Sequence, residues 1–182
     1  GTGVTSLVTG LTDPTDITLD VANGHMYWTD TGTDKIQRAN LDGTGVSDLV
    51  TTGLIFTTGI ALDVLNGHMY YTDFSIDKIK RANLDGTGVI DLTTTVSARS
   101  IELDISNGLM YWSDSSTGIN RANLDGTSVT NLVPALGGIR HIALQLDSGA
   151  EPIPEPTTMA LLGIGLTGLA GAAVRRRLKR AR

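Results

Sequence analysis

The chain has 182 residues, with 22 glycines, no cysteine, 4% aromatic residues and a formal charge of −5. The lack of cysteine excludes disulfides and thiolate metal sites, and the length fits one ordinary domain. Six of the 14 basic residues lie at or beyond Arg175; residues 1–174 therefore carry eight basic against 19 acidic side chains, a charge of −11 unsuited to a nucleic-acid backbone.

In chain order, Gly1-Thr2-Gly3-Val4 matches Gly43-Thr44-Gly45-Val46, so the sequence opens in the last turn of a repeating unit. Three segments then align: Asp20-Val-Ala-Asn23-Gly24-His25-Met26-Tyr27-Trp28-Thr29-Asp30, Asp63-Val-Leu-Asn66-Gly67-His68-Met69-Tyr70-Tyr71-Thr72-Asp73 and Asp104-Ile-Ser-Asn107-Gly108-Leu109-Met110-Tyr111-Trp112-Ser113-Asp114. Their tyrosines are spaced by 43 and then 41 residues. Each is followed by a second block: Ile36-Gln-Arg38-Ala-Asn40-Leu41-Asp42-Gly43, Ile79-Lys-Arg81-Ala-Asn83-Leu84-Asp85-Gly86 and Ile119-Asn-Arg121-Ala-Asn123-Leu124-Asp125-Gly126.

Asn23-Gly24 separates two short runs of β-formers, and Asn-Gly predicts a type I′ hairpin turn, in which both central residues need φ > 0. Asp42-Gly43 plays the same part between residues 36–41 and 46–50. The unit therefore reads strand, turn, strand, loop, strand, turn, strand: four antiparallel strands in ~42 residues, the size of a propeller blade. Repeats are expected near 17–50, 60–93 and 101–133, and helical periodicity is lacking in residues 1–147.

Tyr27-Trp28-Thr29-Asp30, with Tyr70-Tyr71-Thr72-Asp73 and Tyr111-Trp112-Ser113-Asp114 as variants, resembles the YWTD signature of low-density lipoprotein receptor class B repeats. The downstream Ile-x-Arg-Ala-Asn-Leu-Asp-Gly block strengthens the resemblance, which covers residues 1–147. It implies an all-β fold, a six-bladed propeller of which about three and a half blades are present. Six blades need about 250 residues at this period. The expectation is an N-terminally truncated chain; the alternative is a short product that completes its ring with a second copy. Ile142-Ala143-Leu144-Gln145-Leu146-Asp147 matches Ile60-Ala61-Leu62-Asp63 with an insertion and reads as one more innermost strand.

Composition changes after Asp147. Residues 148–156 are a Pro-rich linker, and residues 156–174 carry no charge over 19 positions, enough for a helix of ~28 Å. The transmembrane helix is placed at 157–174, with a basic tail at 175–182 formed by Arg175, Arg176, Arg177, Lys179, Arg180 and Arg182. The positive-inside rule puts the repeats outside the inner membrane. Pro154-Glu155-Pro156, the apolar stretch and the basic cluster resemble bacterial PEP-CTERM sorting signals. That resemblance implies an exosortase-type protease as partner, a transient membrane anchor, and delivery to the cell surface or matrix. Gly163-Ile-Gly165-Leu-Thr-Gly168 fits a dinucleotide-loop pattern but lies inside the apolar stretch and follows no βα unit, so it reads as membrane-helix packing.

Asp30, Asp73 and Asp114 recur in every blade and are read as structural, bonding neighbouring backbone; Arg38, Arg81 and Arg121 are read as structural too, and could pair with acids of the same or adjacent blade. His25 and His68 match each other, but Leu109 is the third equivalent, so no metal is assigned. An EF-hand fails at Asn40-Leu-Asp42-Gly43, leaving weak calcium binding by the acidic face as an option, with no cofactor otherwise. No catalytic constellation is found, and the non-repeated Arg99, Glu102, Arg140 and His141 are the candidates for a distinct site. The function expected is a non-catalytic exported module that binds a polysaccharide or protein. The alternatives are a lactonase- or lyase-like propeller enzyme whose active-site blade is absent, and receptor-like ligand binding.

Overall fold

The computed structural model describes residues 3–94, 97–134 and 138–145. They belong to a compact unit of residues 1–145; the linker, apolar stretch and basic tail expected from the sequence fall in a second unit, residues 146–182, which lies outside the described residues. Among the described residues no helix is long and apolar enough to cross a membrane.

The described strands are β1 (Pro14–Asp20), β2 (His25–Asp30), β3 (Lys35–Asn40), β4 (Ser47–Val50), β5 (Thr57–Asp63), β6 (His68–Asp73), β7 (Lys78–Asn83), β8 (Ile90–Thr94), β9 (Ala98–Asp104), β10 (Leu109–Asp114), β11 (Gly118–Asn123) and β12 (Thr130–Pro134). They form three antiparallel sheets, β1–β4, β5–β8 and β9–β12, each in sequential order. One sheet is one blade, as the repeat pattern predicts.

The turns depart from the type I′ expectation. Gly24 is left-handed at φ +73°, but Asn23 is not. The reason lies three residues upstream: the Asp20 carboxylate accepts the Asn23 backbone N–H at 3.0 Å and its side-chain Nδ2 at 2.8 Å, winding residues 21–24 into a four-residue loop. In the third blade the same positions form a 3-10 turn, Ile105–Asn107, capped by Asp104 and closed by left-handed Gly108. The Asp42-Gly43 turn is also longer than two residues. Asn40 N–H donates to Thr44 O at 2.9 Å, and the Asp42 carboxylate accepts both the N–H (2.9 Å) and hydroxyl (2.7 Å) of Thr44. Its glycine answers to packing: a Cβ on Gly43 would run into the carbonyl of Leu7, and at Gly86 and Gly126 into the carbonyls of Leu49 and Leu92 in the preceding blade.

The cores lie between blades. Tyr27 and Ile36 of the first blade pack with Leu54, Ile60, Met69 and Tyr71 of the second. Tyr70 and Ile79 of the second pack with Ala98, Ile101, Met110 and Trp112 of the third. A polar clasp repeats at each junction. The hydroxyls of Thr29, Thr72 and Ser113 donate to the carbonyls of Thr58 (3.4 Å), Arg99 (3.0 Å) and Arg140 (3.1 Å) on the next innermost strand. Residues 138–145 thereby hold the place of one further innermost strand against β9, and Ile142 N–H reaches Ser100 Oγ at 3.5 Å.

The junction between β5 and β9 is tighter. Asp16 and Ser100 accept from the next inner strand, Asp16 from Ile60 N–H at 2.9 Å, but the equivalent position is Gly59. A Cβ there would lie 2.6 Å from Arg99 O and 3.0 Å from Ile101 N. Gly59→Ala is expected to destabilise the blades by about 1–3 kcal/mol through overpacking against backbone, whereas Ser100→Ala, which loses one long hydrogen bond, should cost less; urea denaturation of the two variants checks the order.

Candidate binding site

The repeated signature residues serve the scaffold. Tyr27 and Tyr70 are buried between blades, Tyr111 is half-buried, and Trp28, Tyr71 and Trp112 are buried. The Trp28 indole N–H donates to Gln37 Oε1 at 3.1 Å. Tyr71 OH and Trp112 Nε1 have no hydrogen-bond partner among the described residues, and burial pushes the Tyr71 hydroxyl far above its ordinary pKa. Asp30 accepts backbone N–H groups of Thr12 (3.0 Å), Asp13 (3.0 Å) and Gly32 (3.1 Å); Asp73 accepts those of Ile55 (2.9 Å), Phe56 (3.2 Å) and Ser75 (3.3 Å). Asp114 accepts from Ser116 (2.8 Å) and Thr117 (2.9 Å). Each carboxylate stitches the loop entering its blade or the loop leaving its second strand.

Among the described residues Arg38, Arg81 and Arg121 make no direct ion pair, although the charge of Arg38 acts on Asp85 of the adjacent blade and helps hold its carboxyl low, after the hydrogen bonds from Thr87. Register is the reason: Arg38 stands opposite Tyr27 and Ser47, while Gln37 and Lys80 stand opposite Asp48 and Asp91. Arg38 lies over the Tyr27 ring, 6.0 Å from its centroid. The pairs that do form are Lys35–Asp48 (2.7 Å), Lys78–Asp91 (2.5 Å) and Lys80–Asp91 (2.8 Å). In the third blade Gly118 and Asn120 replace the two cationic or amide positions, and Asn131 replaces the acid, so the charge is lost on both sides together.

What breaks the repeat gathers along the innermost strands. Alignment sets Thr15, Thr58, Arg99 and Arg140 at one level, Asp16, Gly59, Ser100 and His141 at the next, and Thr18, Ala61, Glu102 and Ala143 two residues on. Of the four non-repeated candidates, Arg99 and Arg140 thus share a level, with His141 and Glu102 beside them. Burial raises the pKa of Asp16, against opposing hydrogen bonds from Ile60 and Ile17 and the charge of His141. Burial, with the Asp16 charge second, raises that of Glu102. Among the described residues no group of three His, Asp or Glu side chains could hold a metal ion, and His25 packs edge-on against Tyr27 at 6.4 Å.

Sequence reading overlooked Phe56 and Phe74. They are the chain's only two phenylalanines, and they stand where the other blades have Asp13 or Ser97 and Thr31 or Ser115, which was the available signal. Phe74 N–H donates to Phe56 O at 2.9 Å, the rings meet edge to face at 5.9 Å, and the Arg99 guanidinium lies 4.3 Å from the Phe74 centroid. The arrangement is a cation–π stack at the strand ends of the second blade.

Comparisons with known proteins fit this geometry. Residues 24–64, from the first Asn-Gly turn to the end of β5, match the low-density lipoprotein receptor repeat class B, and residues 152–177 match the PEP-CTERM protein-sorting motif. The chain carries a YWTD repeat and a PEP-CTERM tail. The compact unit is similar to a chain of a nidogen/laminin complex crystal structure, with 29% identity and a TM-score of 0.62 over 66% of this chain and 48% of that one. It also shares its fold with a chain of Kuenenia stuttgartiensis hydrazine synthase, at 10% identity and a TM-score of 0.59, over 73% of this chain and 39% of that one. This chain therefore spans about half or less of both structures' chains. A search of curated proteins found no match. The fold is propeller-like, and the tail marks an exported protein.

The two kinds of carboxylate in these YWTD blades should titrate with opposite sign. Burial alone would raise the Asp30 pKa, but hydrogen bonds from Thr12, Asp13, Gly32 and Thr33 outweigh it and hold it low. Its stabilising contribution is present above the unfolded value of ~3.9 and lost as pH falls through the folded value. Asp30→Asn should lower stability at pH 7 and flatten the acid limb, as read from urea midpoints across pH. Glu102 is raised, so its folded form holds its proton longer and stability falls as pH rises from the unfolded value through the folded one. Glu102→Gln should stabilise the chain at pH 7 and leave stability near pH 3 unchanged in the same titration.

Proposed function

We propose that the chain is an exported, non-catalytic binding module, held briefly in the inner membrane by its tail and then delivered to the cell surface or extracellular matrix. The observation that carries this reading is the sorting motif at residues 152–177, directly after the blade-forming unit. In it, Pro154, Glu155 and Pro156 form the recognition motif for an exosortase-type protease, residues 157–174 the membrane helix, and Arg175, Arg176, Arg177, Lys179 and Arg180 the cytoplasmic stop. The physical logic is that the helix holds the scissile region at the membrane face. Exposed positions on the blades supply the binding surface, with a protein or polysaccharide as ligand. The nidogen chain similar to this unit comes from a complex with laminin, which favours a protein.

The blades are read as part of a larger ring of six. Ile60 and Ile101 are 3% and 2% exposed at their junctions, but the equivalent Ile17 is 59% exposed. Beside it, Leu7, Val8, Leu11, Met26 and Trp28 line an apolar cavity of about 470 Å³. At the next junction the corresponding space takes Tyr27 and Ile36 of the preceding blade, so the open face has the form of a seat for another blade of the same kind.

Mass spectrometry of the mature protein tests the sorting step. Surface or matrix material should lack residues beyond the Pro-Glu-Pro region and shift to full length when Pro154 and Pro156 are replaced by alanine. Surface protein with Arg182 intact would overturn the processing step.

A further inference from the structure

We infer that the Arg99–Phe74 stack is the ligand-contacting centre of the module, and that it takes a protein segment carrying an acidic side chain beside an apolar one. The inference rests on the binding-module reading and names the chemistry of its partner.

The blades repeat almost everywhere, so a site able to distinguish one ligand must lie where they differ. Phe56 and Phe74 differ from every equivalent position, as do Arg99 and Arg140 from Thr15 and Thr58. The four residues sit at the same end of neighbouring strands: Phe56 and Phe74 are joined by a backbone hydrogen bond, and the carbonyls of Arg99 and Arg140 are held by Thr72 and Ser113. A site placed on strands joined across blades is positioned more rigidly than one on a free loop.

The chemistry of the patch is specific. Lys35, Lys78 and Lys80 are paired with carboxylates, whereas among the described residues no acid pairs with Arg99 or Arg140. The Arg99 guanidinium lies 4.3 Å from the Phe74 ring centroid, and a guanidinium can donate two parallel hydrogen bonds, the geometry that fits a carboxylate. Beside it, Ile55 is 55% and Phe56 36% exposed, an apolar surface next to the cationic one. Asp16 and Glu102 lie one and three residues further along the inner strands, and the rest of residues 1–174 is strongly acidic. That field repels a polyanion such as an acidic polysaccharide, while a single carboxylate flanked by apolar groups meets the local charge with little of the long-range penalty.

The test is nuclear magnetic resonance on the full 182-residue chain in detergent micelles, following the Arg side-chain Nε–H and Phe ring signals. The probes are the blocked peptide Gly-Leu-Glu-Leu-Gly, its Gln counterpart, and trigalacturonate. The Glu peptide should shift the Arg99 and Phe74 signals, and the Gln peptide should bind about tenfold more weakly, the loss of one charge-assisted contact. Arg99→Gln should remove the response, Arg99→Lys should retain part of it, and Arg121→Gln should leave it intact. Circular dichroism establishes that each variant is folded; if Arg99→Gln is not, Phe74→Leu takes its place and should weaken the response as well. Equal response to the Glu and Gln peptides, response to trigalacturonate alone, shifts confined to other residues, or no response would each overturn the inference. The sorting reading is judged separately by the mature C-terminus, and shifts at another face would leave a binding module whose site lies elsewhere.

Discussion

A hydroxyl on the second strand of each blade and a carbonyl on the innermost strand of the next set the terms for the rest of the molecule. Thr29, Thr72 and Ser113 make this bond at three successive junctions. Each of these side chains is buried, so its donor must be satisfied inside the protein, and a carbonyl of the next blade's innermost strand offers an acceptor. The same junctions bury Tyr27 with Ile36, and Tyr70 with Ile79, against the following blade. Dispersion and apolar burial supply the bulk of the attraction, while the hydroxyl sets the height at which the sheets meet. The blades can then repeat their sequence because they repeat their contacts.

That arrangement also decides where function can reside. A residue that every blade needs for its junction, its turn or its loop is not free to select a ligand. Asp30 and Asp73 are spent on backbone N–H groups, Asp20 and Asp63 on Asn-Gly loops, and Asp42 and Asp85 on the threonine two residues on. The acidic character that suggested cation binding is thus largely consumed in turns and loops. What remains is a short set of exceptions, Asp16, Phe56, Phe74, Arg99, Glu102, Arg140 and His141. The repeat itself places them close to one another, because equivalent positions on successive innermost strands are neighbours.

The repeat could be read from the sequence because a blade is a local object: four strands linked by short turns, with the period visible in Tyr27, Tyr70 and Tyr111. The turn type could not, since Asn23-Gly24 is compatible with more than one loop and the choice is made by Asp20, whose carboxylate captures Asn23. The missing arginine ion pairs have a similar cause. Motif spacing locates Arg38 along its strand, but strand register decides that it meets Tyr27 while Gln37 meets Asp48. Phe56 and Phe74 escaped notice because they lie outside the recurring motifs; their proximity to Arg99 arises only when the second and third blades pack. The first two are settled inside one blade, by a nearby carboxylate and by strand register, and only the third by contacts between blades.

The covarying outer-strand positions bear on how such a chain tolerates change. Lys35, Gln37 and Asp48 in one blade become Lys78, Lys80 and Asp91 in the next, then Gly118, Asn120 and Asn131 in the third. Asn120 and Asn131 keep a hydrogen bond at 2.9 Å after both charges have gone. These groups are partly exposed, where an ion pair contributes about 0–1 kcal/mol, so replacing the pair costs little and a partner left alone is still solvated by water. No such freedom exists at the junctions, where Gly59 is held by backbone on the facing strand. Variation is therefore cheapest on the outer strands and at the strand ends, which are also the surfaces a partner can reach. A fold assembled from copies of one blade can thus change what it binds without changing how it is built.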